Sequence, residues 1–105
     1  MEFRQAIEEV AALAGEEVDV QLLRRGDGAA PLFELSGVLR VADEPRDASS
    51  AGQTRPVSLG VGDGYISLWP HRFVDAYRIG WGRALELITN DVILLVGPRS
   101  ETWID

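Results

Sequence analysis

Apolar residues recur at Phe3, Ile7, Val10 and Ala14, with Glu2, Arg4, Glu8 and Glu9 between them. Spacings of four, three and four are the period of an amphipathic helix of about three turns. Gly15, just past the last apolar position, suits the left-handed residue that closes a helix, and the early acids suit the positive end of its dipole. The period then changes to two. Val18, Val20 and Leu22 alternate with Glu17, Asp19 and Gln21, which predicts a half-buried strand ending at Arg25-Gly26-Asp27-Gly28. Phe33, Leu35, Leu39 and Val41 share one face of a second strand, and Gly37 stands on that face where a bend or bulge is expected. Ile7 and Leu35 are expected in the core.

The segment 42–55 (ADEPRDASSAGQTR) has no period and reads as a long mobile loop. Val57, Leu59 and Val61 open a third strand, and Gly62-Asp63-Gly64 turns it into Tyr65-Ile66-Ser67-Leu68-Trp69 as a hairpin. Two segments are ambiguous. Arg72 to Ile79 favours a strand by composition, but Pro70 could open a short helix with Phe73 and Tyr77 one turn apart. Ala84 to Thr89 reads as the first arm of a last hairpin with Val92 to Val96, against a competing helix over Arg83 to Thr89. Gly97-Pro98 is expected to end the final strand, and the tail 98–105 to fray or to dock through Trp103 and Ile104.

Composition mainly excludes. The 105-residue chain has the size and balance of one domain spanning 1–105, with a core large enough to hold without staples. It has no Cys, no Lys and one His. Thiolate chemistry, Cys-rich metal sites, the P-loop, pyridoxal Schiff bases and protein-kinase chemistry therefore lack an essential side chain. Basic charge rests wholly on Arg, while Ala, Gly, Val and Leu are plentiful; a GC-rich bacterial source is the expectation. A net charge of −7 opposes nucleic acid and anionic membranes, although residues 65–99 carry four Arg against three acids. No apolar run approaches the roughly 20 residues of a membrane span and the N-terminus has no basic leader, so a cytoplasmic location is expected.

Few residues invite chemistry. The glycines of Leu59-Gly60-Val61-Gly62-Asp63-Gly64 alternate without a following Lys-Ser/Thr, which fits a hairpin and no nucleotide fingerprint. His71 has Ser67 four residues before it and Asp75 four after, one side of a helix if that segment were helical, but no oxyanion-hole motif accompanies them. No carboxylate pair stands out, and neither a catalytic residue nor a cofactor is assigned. Tyr65, Trp69, Phe73, Tyr77 and Trp81 recur at every fourth position, with Arg72, Arg78 and Arg83 among them. Aromatics with Arg are the composition of protein-binding hot spots and can also stack single-stranded bases; the competing account places them in the core.

The order of elements, one amphipathic N-terminal helix packed on a strongly bent, mainly antiparallel sheet of about five or six strands, is an α+β arrangement found in small SH3-like open barrels. It is similar in outline to the Sm-like RNA-binding domains, which also begin with a helix, over Phe3 to Val96. The Arg-Gly motif those domains place before a final strand has no counterpart, because Arg78-Ile79-Gly80-Trp81 stands there, and no binding residues are carried over. The expectation is a non-enzymatic interaction domain that binds a protein partner or itself, as a homo-oligomer, through segment 65–83 or a sheet edge. A single-stranded nucleic-acid-binding barrel and an acidic immunity- or antitoxin-like inhibitor of a basic partner are the alternatives.

Overall fold

The computed structural model describes residues 1–25, 31–43 and 56–101. The elements run α1 (Phe3–Ala11), β1 (Glu17–Arg24), β2 (Pro31–Asp43), β3 (Val57–Val61), β4 (Gly64–Leu68), a 3₁₀ turn (Pro70–Arg72), β5 (Phe73–Arg78), β6 (Leu85–Thr89) and β7 (Val92–Pro98). The strands form one antiparallel sheet in the order β4-β3-β2-β1-β7-β6-β5, with β4 and β5 as edges, so it does not close. The chain is α+β as expected, but seven described strands replace five or six. Both ambiguous segments are strands, as their β-branched and aromatic content favours, and they pair with each other from Phe73–Thr89 to Arg78–Leu85. Pro70 does open a helical turn, yet Phe73 already has extended backbone (φ −72°, ψ 134°) and the turn goes no further.

The helix and the turn after it bury a wider face than the spacing suggests. Ala6, Val10 and Leu13 are fully buried, Phe3 and Ile7 are half-buried, and Ala14 is exposed. The expected stripe was one margin of a wider apolar face whose deepest row includes the small Ala6. Glu2 sits at the N-cap without a side-chain cap and no acid lies in the first turn. Past Ala11 the chain tightens, with Leu13 and Ala14 N–H groups donating to Val10 and Ala11 carbonyls, until Gly15 turns it at φ +89°. Leu35 is likewise half-buried. Ala42 and Asp43 belong to β2, and Gly97 and Pro98 continue β7 opposite Asp19 and Val18. Pro98 lies beyond Val96, the last residue β6 pairs with, where a strand tolerates proline. Loop residues 44–55 and tail residues 102–105, with Trp103 and Ile104, fall outside the described residues.

What shapes the sheet is β2. Its first part pairs with β1 as far as Val38, and from Leu39 onward it pairs with β3. The switch follows Gly37, which has φ +151°; a Cβ there would lie 2.6 Å from the backbone Cα and N of Gly62, at the tip of the β3–β4 hairpin. That hairpin therefore folds back over the inner face of β2. Val18, Val20, Leu85, Leu87, Leu94 and Val96 from one half and Leu39, Leu59 and Val61 from the other consequently share a single buried cluster with α1. Burying each such Leu or Val contributes roughly 1.5–3 kcal/mol. No helix among the described residues is long and apolar enough to cross a membrane.

Gly37→Ala should combine backbone strain with a clash against Gly62 and destabilise the fold by roughly 2–5 kcal/mol, read from urea unfolding. Gly15→Ala, with nothing within 4 Å of the new methyl, should lose only about 1–2 kcal/mol of left-handed strain. Equal losses at the two positions would contradict the packing account of Gly37.

Candidate functional site

The aromatic series divides. Phe73 turns inward against the core, its ring edge-on to Phe3 with centroids 5.4 Å apart. Tyr65 on β4 is 74 % exposed, Tyr77 on β5 is 50 % exposed and Trp69 is 39 % exposed, while Trp81 is exposed over its whole surface. Four of the five thus do not fill the core. Strand alternation accounts for two of them: Tyr65 stands opposite Gly60 and Tyr77 opposite Glu86, on the outer face, whereas Ile66 and Ala76 face inward.

Trp81 crowns the connection between β5 and β6. The loop is closed at its base by the Ile79 N–H, which donates to the Ala84 carbonyl at 2.9 Å. Gly80, at φ +65°, supplies the left-handed turn. Arg83 fixes the far side. Its Nη1 and Nη2 donate to Glu16 Oε2 and Oε1 at 2.7 and 3.0 Å, its Nε donates to Glu101 Oε2 at 3.1 Å, and its backbone N–H donates to Glu101 Oε1 at 3.0 Å. A guanidinium fork held by two carboxylates is geometrically restrictive in a way that a single exposed ion pair is not. The hydrogen bonds from Arg83 hold the Glu16 carboxyl below the usual carboxylate range; the Arg83 backbone N–H and then its side chain do the same for Glu101.

The other two arginines are also paired. Arg78 Nη2 reaches both oxygens of Glu9 on α1, at 2.7 and 2.8 Å, and Arg72 Nη1 reaches Asp91 Oδ2 at 3.1 Å. Nothing in the sequence points to Glu9, Glu16 or Glu101 as partners, since they lie 69, 67 and 18 residues from the Arg each one holds. Only the topology brings them together.

Ser67, His71 and Asp75 are not assembled into a dyad or triad. Ser67 is on β4, His71 is exposed in the 3₁₀ turn beside Trp69 (ring centroids 5.7 Å), and Asp75 is on β5. The Asp75 carboxylate is engaged elsewhere: it accepts from the Met1 amino group at 2.8 Å, the Tyr77 hydroxyl at 2.8 Å and the Ala76 N–H at 2.8 Å. Those donors, the amino group foremost, hold it at about 2. The same contact raises the Tyr77 phenol and fixes the ring on the outer face.

Phe3, Ile7 and Ala11 of α1, with Ala14, Val41 and Val57, line an open groove of about 750 Å³ to which Glu2, Arg4 and Glu8 also contribute. It runs along the half-buried margin of the helix.

Asp75, Glu16 and Glu101 all have carboxyls depressed in the fold. The stability they contribute is therefore complete above their unfolded values near pH 4 and is lost as pH falls through the folded ones. Melting temperature should be flat above about pH 5 and fall steadily toward about pH 2, and Glu101→Gln should shrink that fall. Parallel pH curves for the wild type and the variant would show that the Arg83 clamp does not couple to folding. Compared with known proteins, the chain matches no family model, no curated protein and no solved structure, so its function rests on the geometry of these residues.

Proposed function

We propose that this chain is a non-enzymatic protein-interaction domain whose contact surface centres on the loop carrying Trp81, with Tyr77 on the adjoining strand. One observation carries the reading: an indole wholly in water on a loop whose ends are fixed by a backbone hydrogen bond and a two-carboxylate clamp. Tryptophan is the residue most enriched at binding hot spots, and a loop already held in place loses little conformational freedom when a partner docks. Arg78 and Arg83 act in this account as supports rather than contacts, because their guanidinium groups are already committed to Glu9, Glu16 and Glu101. The net charge of −7 weighs against phosphate backbones as the partner and favours a protein surface with an apolar pocket and a neutral or basic rim.

Immobilised protein exposed to source-cell lysate at moderate salt should retain a protein partner. Trp81→Ala should weaken that partner's Kd by about 30-fold or more, the loss typical of a hot-spot anchor, with unchanged melting temperature. Retention of nucleic acid alone, or of the same protein with equal affinity by Trp81→Ala, would overturn the assignment.

A further inference from the structure

The two edges of the sheet are treated differently by the sequence. β5 is defended: its register with β6 shifts between Phe73 and Asp75, it carries Asp75 and Arg78, and the Met1 amino group donates to the Ala76 carbonyl beside it. Bulges and charges are the usual devices that stop an edge from recruiting another strand. β4 has none of them. Gly64-Tyr65-Ile66-Ser67-Leu68 contains no charge and no proline, and it pairs with β3 without a register shift.

The hairpin dictates which groups β4 offers. Its loop is the two residues Gly62 and Asp63, with φ +58° at Gly62 and no positive φ at Asp63, as in a II′ turn. In such a hairpin the closing pair, Val61 with Gly64, is hydrogen-bonded, and so in alternation are Leu59 with Ile66 and Val57 with Leu68. The N–H and C=O groups of Tyr65 and Ser67 therefore point away from β3, and among the described residues no backbone group bonds to them.

We propose that β4 is a self-pairing edge, joining two copies of this chain antiparallel about a two-fold axis through Ile66. The register follows from the residues. Only pairings that set Tyr65 and Ser67 against each other or themselves use the free backbone groups, and centring on Ile66 overlaps the whole strand. Tyr65 then faces Ser67 of the second copy in a hydrogen-bonded pair, twice by symmetry, giving four backbone hydrogen bonds. Sizes complement as well: Tyr65 lies opposite the small Ser67 on the outer face, and Leu68 opposite Gly64 on the inner. No like charges meet, although each copy carries −7 overall. This goes beyond the Trp81 reading and is independent of it, since that loop follows β5 at the other end of the strand order.

Sedimentation equilibrium of the wild-type chain should give twice 11.5 kDa at high concentration and dissociate on dilution. Ser67→Pro, which deletes an outward N–H without touching the β3 ladder, and the double variant Tyr65→Lys with Ser67→Lys should both be monomeric with wild-type melting measured in dilute solution. Trp81→Ala should leave the dimer intact. Because the chain has no cysteine, Ile66→Cys should form one intermolecular disulfide on mild oxidation. A wild type that is monomeric at its highest soluble concentration, a dimer that survives both β4 variants, a larger assembly, or a dimeric Ile66→Cys that does not cross-link would each overturn the proposal.

Discussion

Gly62 lies so near Gly37 that a side chain at either position would press on backbone, and this contact lets the β3–β4 hairpin lie over the inner face of β2. Without it, a nine-residue helix would face a seven-stranded sheet far wider than itself. With it, both halves of the sheet close on one core that α1 completes. The bend also sets the helix connection. Leu39, where β2 leaves β1 for β3, donates its N–H to the Glu16 carbonyl at 3.0 Å and accepts from the Gly15 N–H at 2.9 Å.

That placement of Glu16 is what links the core to the surface. Its side chain leaves the bend region and meets Arg83 across the molecule, where Glu101 arrives just past β7. Two segments distant in sequence, at Glu16 and Glu101, thus fix one short loop through its own Arg83, and that loop exposes the indole of Trp81. Each exposed ion pair alone contributes little, but a guanidinium held in a fork by two carboxylates resists rotation of the whole loop. The guanidinium groups of Arg72, Arg78 and Arg83 are thus engaged by carboxylates within the fold, while Tyr65, Trp69, Tyr77 and Trp81 stay exposed.

Local patterns in the chain carried the helix, the period-two strands and the Gly62-Asp63 hairpin, because each depends on neighbours a few residues apart. The glycine on the inner face of β2 marked a bend, though its partner, Gly62, could be named only once the fold was known. Other features were hidden for the same reason. The buried row Ala6-Val10-Leu13 depends on where the sheet meets the helix, and Ala6 gives little hydrophobic signal. Four exposed aromatics and inward Phe73 share one spacing, so spacing could not separate them; the bulge at Phe73–Asp75 and the loop at Trp81 did. The Glu partners of Arg78 and Arg83 left no sequence signal at all.

Trp81 is exposed on a loop held at both ends rather than a floppy one. The most direct measurement is ¹⁵N relaxation of the backbone amides of Gly80 to Arg83. Order parameters of about 0.85, equal to those of the flanking strands β5 and β6, are expected of a held loop, whereas values below about 0.6 would show that the clamp leaves it free.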